Sequence, residues 1–82
     1  MRYRSRTDIV ASILEAANGG VTKTKMMYDA YLSHGQLKDY LFLLMENGLL
    51  KYLKEERIYK TTKKGTVFLK GYNQLGEMVV LN

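Results

Sequence analysis

Two helix-start signals only eleven residues apart, at Thr22 and Ser33, constrain this chain more than any other feature. Thr22 is an N-cap residue type, with Val21 and Met26 spaced to pack across it as a hydrophobic staple. Ser33 repeats the signal. Gln36, three residues on, completes a capping box, and Leu32 and Leu37 form the second staple. Between the two starts there is room for one short helix and a tight turn, which is helix-turn-helix punctuation. The spacing predicts helices over residues 22–31 and 33–47. The first turns Met26, Met27, Ala30 and Tyr31 inward; the second buries Leu37, Tyr40, Leu41 and Leu44 and stops at Asn47-Gly48. The opposite face of the second helix holds Gly35, Asp39, Phe42 and Glu46, flanked by Gln36 and Lys38.

Around this pair the chain supplies three more elements. Ile9, Val10, Ile13, Leu14 and Ala17 recur at helical spacing over residues 5–18, with Ser5 and Asp8 in a capping arrangement and Asn18-Gly19-Gly20 as the stop. Residues 49–53 and 57–61, rich in Leu, Tyr, Ile and Thr, read as a hairpin. Lys54-Glu55-Glu56 between them lacks the Gly or Asn of a two-residue primed turn, so a longer loop is expected. Thr61-Thr62 then opens a closing helix to residue 80, with Phe68, Tyr72, Leu75 and Val79 on one stripe. Gly65, Gly71 and Gly76 each cost that helix about 1 kcal/mol relative to Ala, so packing must hold it. Nothing divides the chain: proline and internal repeats are absent, and residues 1–82 read as a single domain. A core this small rarely leaves more than ~3–5 kcal/mol of net stability, which makes a partner an expected source of support.

Several chemistries are excluded. There is no cysteine, and a lone histidine, His34, does not build a zinc site. The longest apolar run, residues 40–45, falls far short of the roughly 18 residues of a membrane span. Asp8 and Glu15 interrupt any signal-peptide reading, so a soluble, cytoplasmic protein is expected. No nucleophile with a base, paired carboxylates or glycine-rich phosphate loop can be assembled; neither an enzyme nor a cofactor is expected. Thirteen Lys and Arg against eight Asp and Glu give a net charge of +5, which favours an anionic partner without naming it.

Three helices, a hairpin and a closing helix, with the second and third helices joined tightly, make a mainly α chain in the winged helix-turn-helix order: a three-helix core, a wing hairpin and a closing C-terminal helix. In that order the first two helices hold the third by its apolar stripe, leaving its other face free to enter a major groove. The residues also resemble a family. Residues 5–10 (SRTDIV) with Ile13-Leu14-Glu15-Ala16, residues 22–28 (TKTKMMY) leading into Leu32-Ser33, Tyr40-Leu41 with Gly48-Leu49-Leu50, and residues 59–65 (YKTTKKG) are similar to the small archaeal winged-helix proteins classed as chromatin-type or predicted transcriptional regulators. The resemblance implies binding of double-stranded DNA through the third helix and wing, a nucleoid-associated location, and a homodimer built on the last helix. Glu55-Glu56 departs from it, placing acids where a phosphate-seeking wing tip would carry bases.

The candidate DNA-binding residues each carry a second reading. Arg4 and Arg6, with Arg2, form a basic arm over residues 1–4 and the first helix start, or a terminus with no contact. Lys23 and Lys25 sit in the first turn of the second helix, where the macrodipole disfavours cations, and this points to phosphate contacts over a solvated face. Ser33 caps first and touches phosphate second; Gln36 chooses between the capping box and an adenine edge. His34 is a phosphate neighbour or a plain surface residue. Lys38 is the preferred groove contact, Tyr28 a candidate outside the inward stripe, and Lys63 a backbone contact near the last helix. For the dimer, Phe68, Tyr72, Leu75, Met78 and Val79 form the candidate interface, against the alternative of a helix folded back on the first. A winged helix used for protein recognition is the rival function, argued from Asp39, Glu46, Glu55 and Glu56, with RNA binding behind it.

Overall fold

The computed structural model describes residues 4–80, with side chains to residue 75. Along the chain run α1 (Arg6–Ala16), α2 (Lys23–Asp29), α3 (His34–Glu46), β1 (Leu50–Leu53), β2 (Ile58–Thr61) and α4 (Lys63–Val80). The helix starts lie where the capping residues put them. Ser5 Oγ accepts from the Asp8 N–H at 3.0 Å while Asp8 accepts from the Ser5 N–H at 3.1 Å, and Ser33 and Gln36 repeat the exchange at 3.2 and 2.9 Å. Thr22 Oγ1 accepts from the Lys25 N–H at 3.3 Å. Each such cap contributes about 1 kcal/mol by satisfying a donor that the helix leaves open.

α2 stops sooner than periodicity suggests. Ala30 caps it, the Tyr31 N–H donates to Tyr28 O at 3.2 Å, and the Leu32 N–H reaches back to Met27 O at 3.0 Å, a Schellman closure with Tyr31 at the left-handed position, φ 54°. The positive φ carries the Tyr31 side chain off the helical stripe. Expected inward, it is instead 84% exposed. α3 ends in the same motif, Gly48 to Met45 O and Leu49 to Leu44 O, but there glycine takes the positive φ, 70°.

The core is a single cluster in which Ile13, Leu14, Met26, Leu37 and Leu44 are fully buried. Each such side chain contributes about 1.5–3 kcal/mol of burial free energy. Both staples lie within it: Val21 with Met26, and Leu32 with Leu37. The hairpin pairs antiparallel in the register Leu50↔Thr61 to Leu53↔Ile58. Its connection runs from Lys54 to Arg57, and Arg57 takes the left-handed conformation, φ 57°, while its N–H donates to Leu53 O at 2.8 Å. The absent Gly or Asn is thus replaced by a longer loop with a strained arginine. Val21 bridges to Tyr59 through two backbone bonds of 2.9 and 2.8 Å, fastening the start of the helix-turn-helix to the wing.

α4 packs back against α1. Leu69 is buried, Phe68 and Tyr72 pack on the core, and the Tyr72 hydroxyl donates to the Asp8 carboxylate. Val67, next to Phe68 in the chain, is exposed. The Tyr72 hydroxyl, and then the bonds from Ser5, hold the Asp8 carboxyl below its ordinary value of 3.8. Gly65 is dictated by contact: a Cβ there would overlap the carbonyl oxygen of Leu49 and lie 2.6 Å from Thr61 Cγ2. Nothing lies within 4 Å of the corresponding position on Gly71.

Two stability measurements follow from this packing. Gly65→Ala should cost about 1–3 kcal/mol by forcing α4 off Leu49 and the end of β2, whereas Gly71→Ala should gain up to about 1 kcal/mol, both read by urea unfolding. Because the folded pKa of Asp8 is depressed, its contribution is present above the unfolded value and is lost as pH falls below 3.8. Acid titration of Tyr72→Phe should therefore show a shallower loss of stability than the wild type.

Candidate nucleic-acid interface

The exposed side of α3 is built by its own apolar stripe. With Leu37, Leu41 and Leu44 held in the core, Gly35, Lys38, Asp39, Phe42 and Glu46 are left facing outward. Arg6, from the first turn of α1, comes alongside. Arg6, Gln36 and Lys38 line one open groove together with Asp39, Tyr40, Phe42 and Leu43. Three of the sequence-predicted contacts from two helices thus share a surface, rich in hydrogen-bond donors suited to phosphate oxygens and base acceptors. His34 and Ser33 are exposed at the same end of α3. The carbonyl oxygen of the Gln36 amide is taken by the capping box; the amide nitrogen is not part of it.

Other candidates are placed differently. Arg4 turns onto the end of α2, donating to Ala30 O at 2.7 Å and to Tyr31 O at 3.0 Å. That role, holding the C-terminal carbonyls of α2, was not among its sequence readings. Lys25 pairs with Asp29 at 3.3 Å in an exposed i,i+4 contact, of the kind worth a few tenths of a kcal/mol; Lys23 is half-buried. Tyr28 is 72% exposed. Lys63 starts α4, whose first turn is fastened to the far end of α3: Thr62 Oγ1 donates to Gly48 O at 2.6 Å and Lys64 Nζ to Asn47 O at 2.8 Å. A 13-residue helix spans about 20 Å, so Lys63 is separated from the His34 end by that length.

The wing adds residues that sequence reading passed over. Lys51 and Lys60 stand directly opposite one another in the register, a like-charge pair that weakens an isolated hairpin. On the other face Tyr52 and Tyr59 pack with ring centroids 4.8 Å apart, and burial, then the neighbouring Tyr52, push the Tyr59 hydroxyl above its usual value. Only the pairing register brings the two lysines together; their sequence spacing carries no such signal. Glu55 and Glu56 occupy the loop between the strands.

The surface is uneven in character. Toward its C-terminal end α3 exposes Phe42, Leu43 and Met45 beside Glu46, and no cation lies on that stretch. Of the residues read as a dimer interface, Phe68 and Tyr72 are engaged with their own chain, because the Asp8 carboxylate and the core lie within reach of the first half of α4. Leu75 is 63% exposed, and Met78 and Val79 lie outside the described side chains. Among the described residues, no group of three or more His, Cys, Asp or Glu is placed to hold a metal ion, and no helix is long and apolar enough to cross a membrane.

None of the curated proteins matches the sequence. Among solved structures, the crystal structure of Sso10a-2, described as a DNA-binding protein from Sulfolobus solfataricus, aligns with a TM-score of 0.80 at 23% identity, over 92% of this chain and 81% of that one. This is a likeness of fold over nearly the whole chain. The sequence profile described as winged helix-turn-helix matches residues 3–79. That match spans nearly the whole chain and the order of elements is that of a winged helix, so the chain belongs to the winged helix-turn-helix family.

Proposed function

We propose that this protein binds double-stranded DNA, with α3 entering the major groove and the wing on the adjacent backbone, as a transcriptional regulator or chromatin-associated protein. The observation that carries the reading is the convergence of Arg6, Gln36 and Lys38 on one open groove beside the exposed first turn of α3. A B-DNA major groove is about 12 Å wide and accepts one helix such as α3. The Lys51–Lys60 pair supports the reading, since a like-charge juxtaposition is relieved by a phosphate between or beside the two ammonium groups. Sso10a-2 is described as DNA-binding, and the shared fold is consistent with that use here.

A second reading has its own observation. Phe42, Leu43 and Met45, with Asp39 and Glu46, give α3 apolar and acidic groups suited to another protein. Asp39, Phe42 and Leu43 line the same groove as Arg6, Gln36 and Lys38, so DNA and a protein partner would compete for this face of the helix.

Homodimerisation is proposed through the distal half of α4. On the stripe of Phe68 and Tyr72, which pack on the core, Leu75 is the next apolar residue and is exposed. A twofold axis there would present two copies of α3 to half-sites about one helical turn apart.

The purified protein should bind duplex DNA with affinity falling steeply with salt, at a log–log slope of roughly −0.9 per phosphate contacted. Lys25→Ala should weaken all sequences alike and lower that slope, whereas Lys38→Ala should also flatten discrimination between sequences. A folded protein that ignores duplex DNA at low salt would return the function to protein recognition. In sedimentation equilibrium at micromolar concentration the protein should run at about twice its 9.5 kDa chain mass, and Leu75→Glu should return it to the monomer. A monomeric wild type refutes the dimer.

A further inference from the structure

The two Schellman closures place the same demand on the backbone and meet it with different residues. At the end of α3, glycine takes the left-handed position; at the end of α2, a tyrosine takes it, at φ 54°. For a residue with a Cβ that conformation is unfavourable, and it persists only where the surroundings over-determine it. They do so here. Two backbone bonds close the turn, and the Arg4 guanidinium grips the carbonyls of both Ala30 and Tyr31. The ring gains nothing from the fold in return, since Tyr31 is 84% exposed, more than any other large hydrophobic side chain among the described residues. Neither local conformation nor packing accounts for a tyrosine at this position.

Its place in the fold does. Tyr31 precedes the Ser33 cap of α3 by two residues, a chain length of at most about 7 Å. The backbone of Tyr31 therefore stands next to the helix end that carries His34, Gln36 and Lys38, with its side chain open to solvent. Tyr28, also exposed, lies one turn back on α2. We propose that Tyr31 is a backbone-contacting residue of the DNA interface, its ring packing on a deoxyribose and its hydroxyl donating to a phosphate at the rim of the groove that α3 enters, with Arg4 as the residue that positions it. The proposal rests on the duplex-binding reading and adds a neutral contact to it. Phosphate contacts of this kind fix the register of a helix on the duplex without reading bases.

The test compares wild type, Tyr31→Gly and Tyr31→Asn for urea stability and for binding to a labelled duplex of about two helical turns at several salt concentrations. Both replacements tolerate the left-handed conformation. The expected result is an unfolding midpoint equal to or above that of the wild type, with duplex affinity lowered about fivefold or more. The salt slope should be unchanged, because a neutral side chain displaces no counterion. Affinity within twofold of wild type in both variants overturns the proposal. So does a lowered midpoint, which would make the ring a structural element. Failure of the wild type to bind duplex DNA is a separate outcome: it removes the duplex-binding reading itself, and this contact with it.

Discussion

The backbone N–H and hydroxyl groups of Thr61 and Thr62 go to carbonyls at, or just beyond, the C-terminal ends of α1 and α3. Thr61 Oγ1 donates to Leu14 O at 2.6 Å and its N–H to Ala17 O at 3.1 Å; Thr62 Oγ1 donates to Gly48 O and its N–H to Leu49 O at 3.1 Å. Adjacent residues thus fix the hairpin to the ends of two different helices. Thr61 is the one buried polar side chain among the described residues, where an unpaired hydroxyl would cost about 1–3 kcal/mol. Thr62 Oγ1 also accepts from the Gly65 N–H, setting the direction in which α4 departs. Everything that presents α3 follows from this node: the wing beside it, α4 against α1, and the close approach that admits only glycine at residue 65.

The candidate interface combines groups that are firmly held with groups that are only displayed. Gln36 and Arg4 are held, the first by the capping box and the second by the end of α2. Lys38, His34 and Tyr31 are displayed, exposed on backbone that those bonds make rigid. This arrangement suits recognition of a regular polyanion, because the entropy of ordering the backbone is met on folding and only side-chain freedom remains to be lost on binding. The opposed lysines lie on the hairpin face away from Leu50 and Thr61, which are buried.

Much of the fold was legible because its signals are local. A cap needs only a hydroxyl and its partner three residues on, so Ser5 with Asp8, Thr22, and Ser33 with Gln36 could be read in one dimension. The buried stripe of α3 follows from a 3.6-residue period. The candidate site was legible in part for the same reason: Gln36 and Lys38 fall on α3 at positions set by that period. Where reading failed, the deciding contact was distant or broke the period. Helical spacing places Tyr31 inward with Met27 four residues earlier, and one positive φ cancels that relation. Arg4 reads as an arm in one dimension because its partners are 26 and 27 residues away.

By itself the sequence determined the element order, the helix starts, the core of the helix-turn-helix and the net positive charge, since each is encoded in residue type and short spacing. The tertiary structure alone decided which cations share a surface. It joined Arg6 to Lys38, set Lys51 opposite Lys60, left Lys63 at the far end of α3, and bound Tyr72 to Asp8 within one chain. Those pairings depend on register and on helix packing, where long-range contacts fix positions that no local periodicity carries.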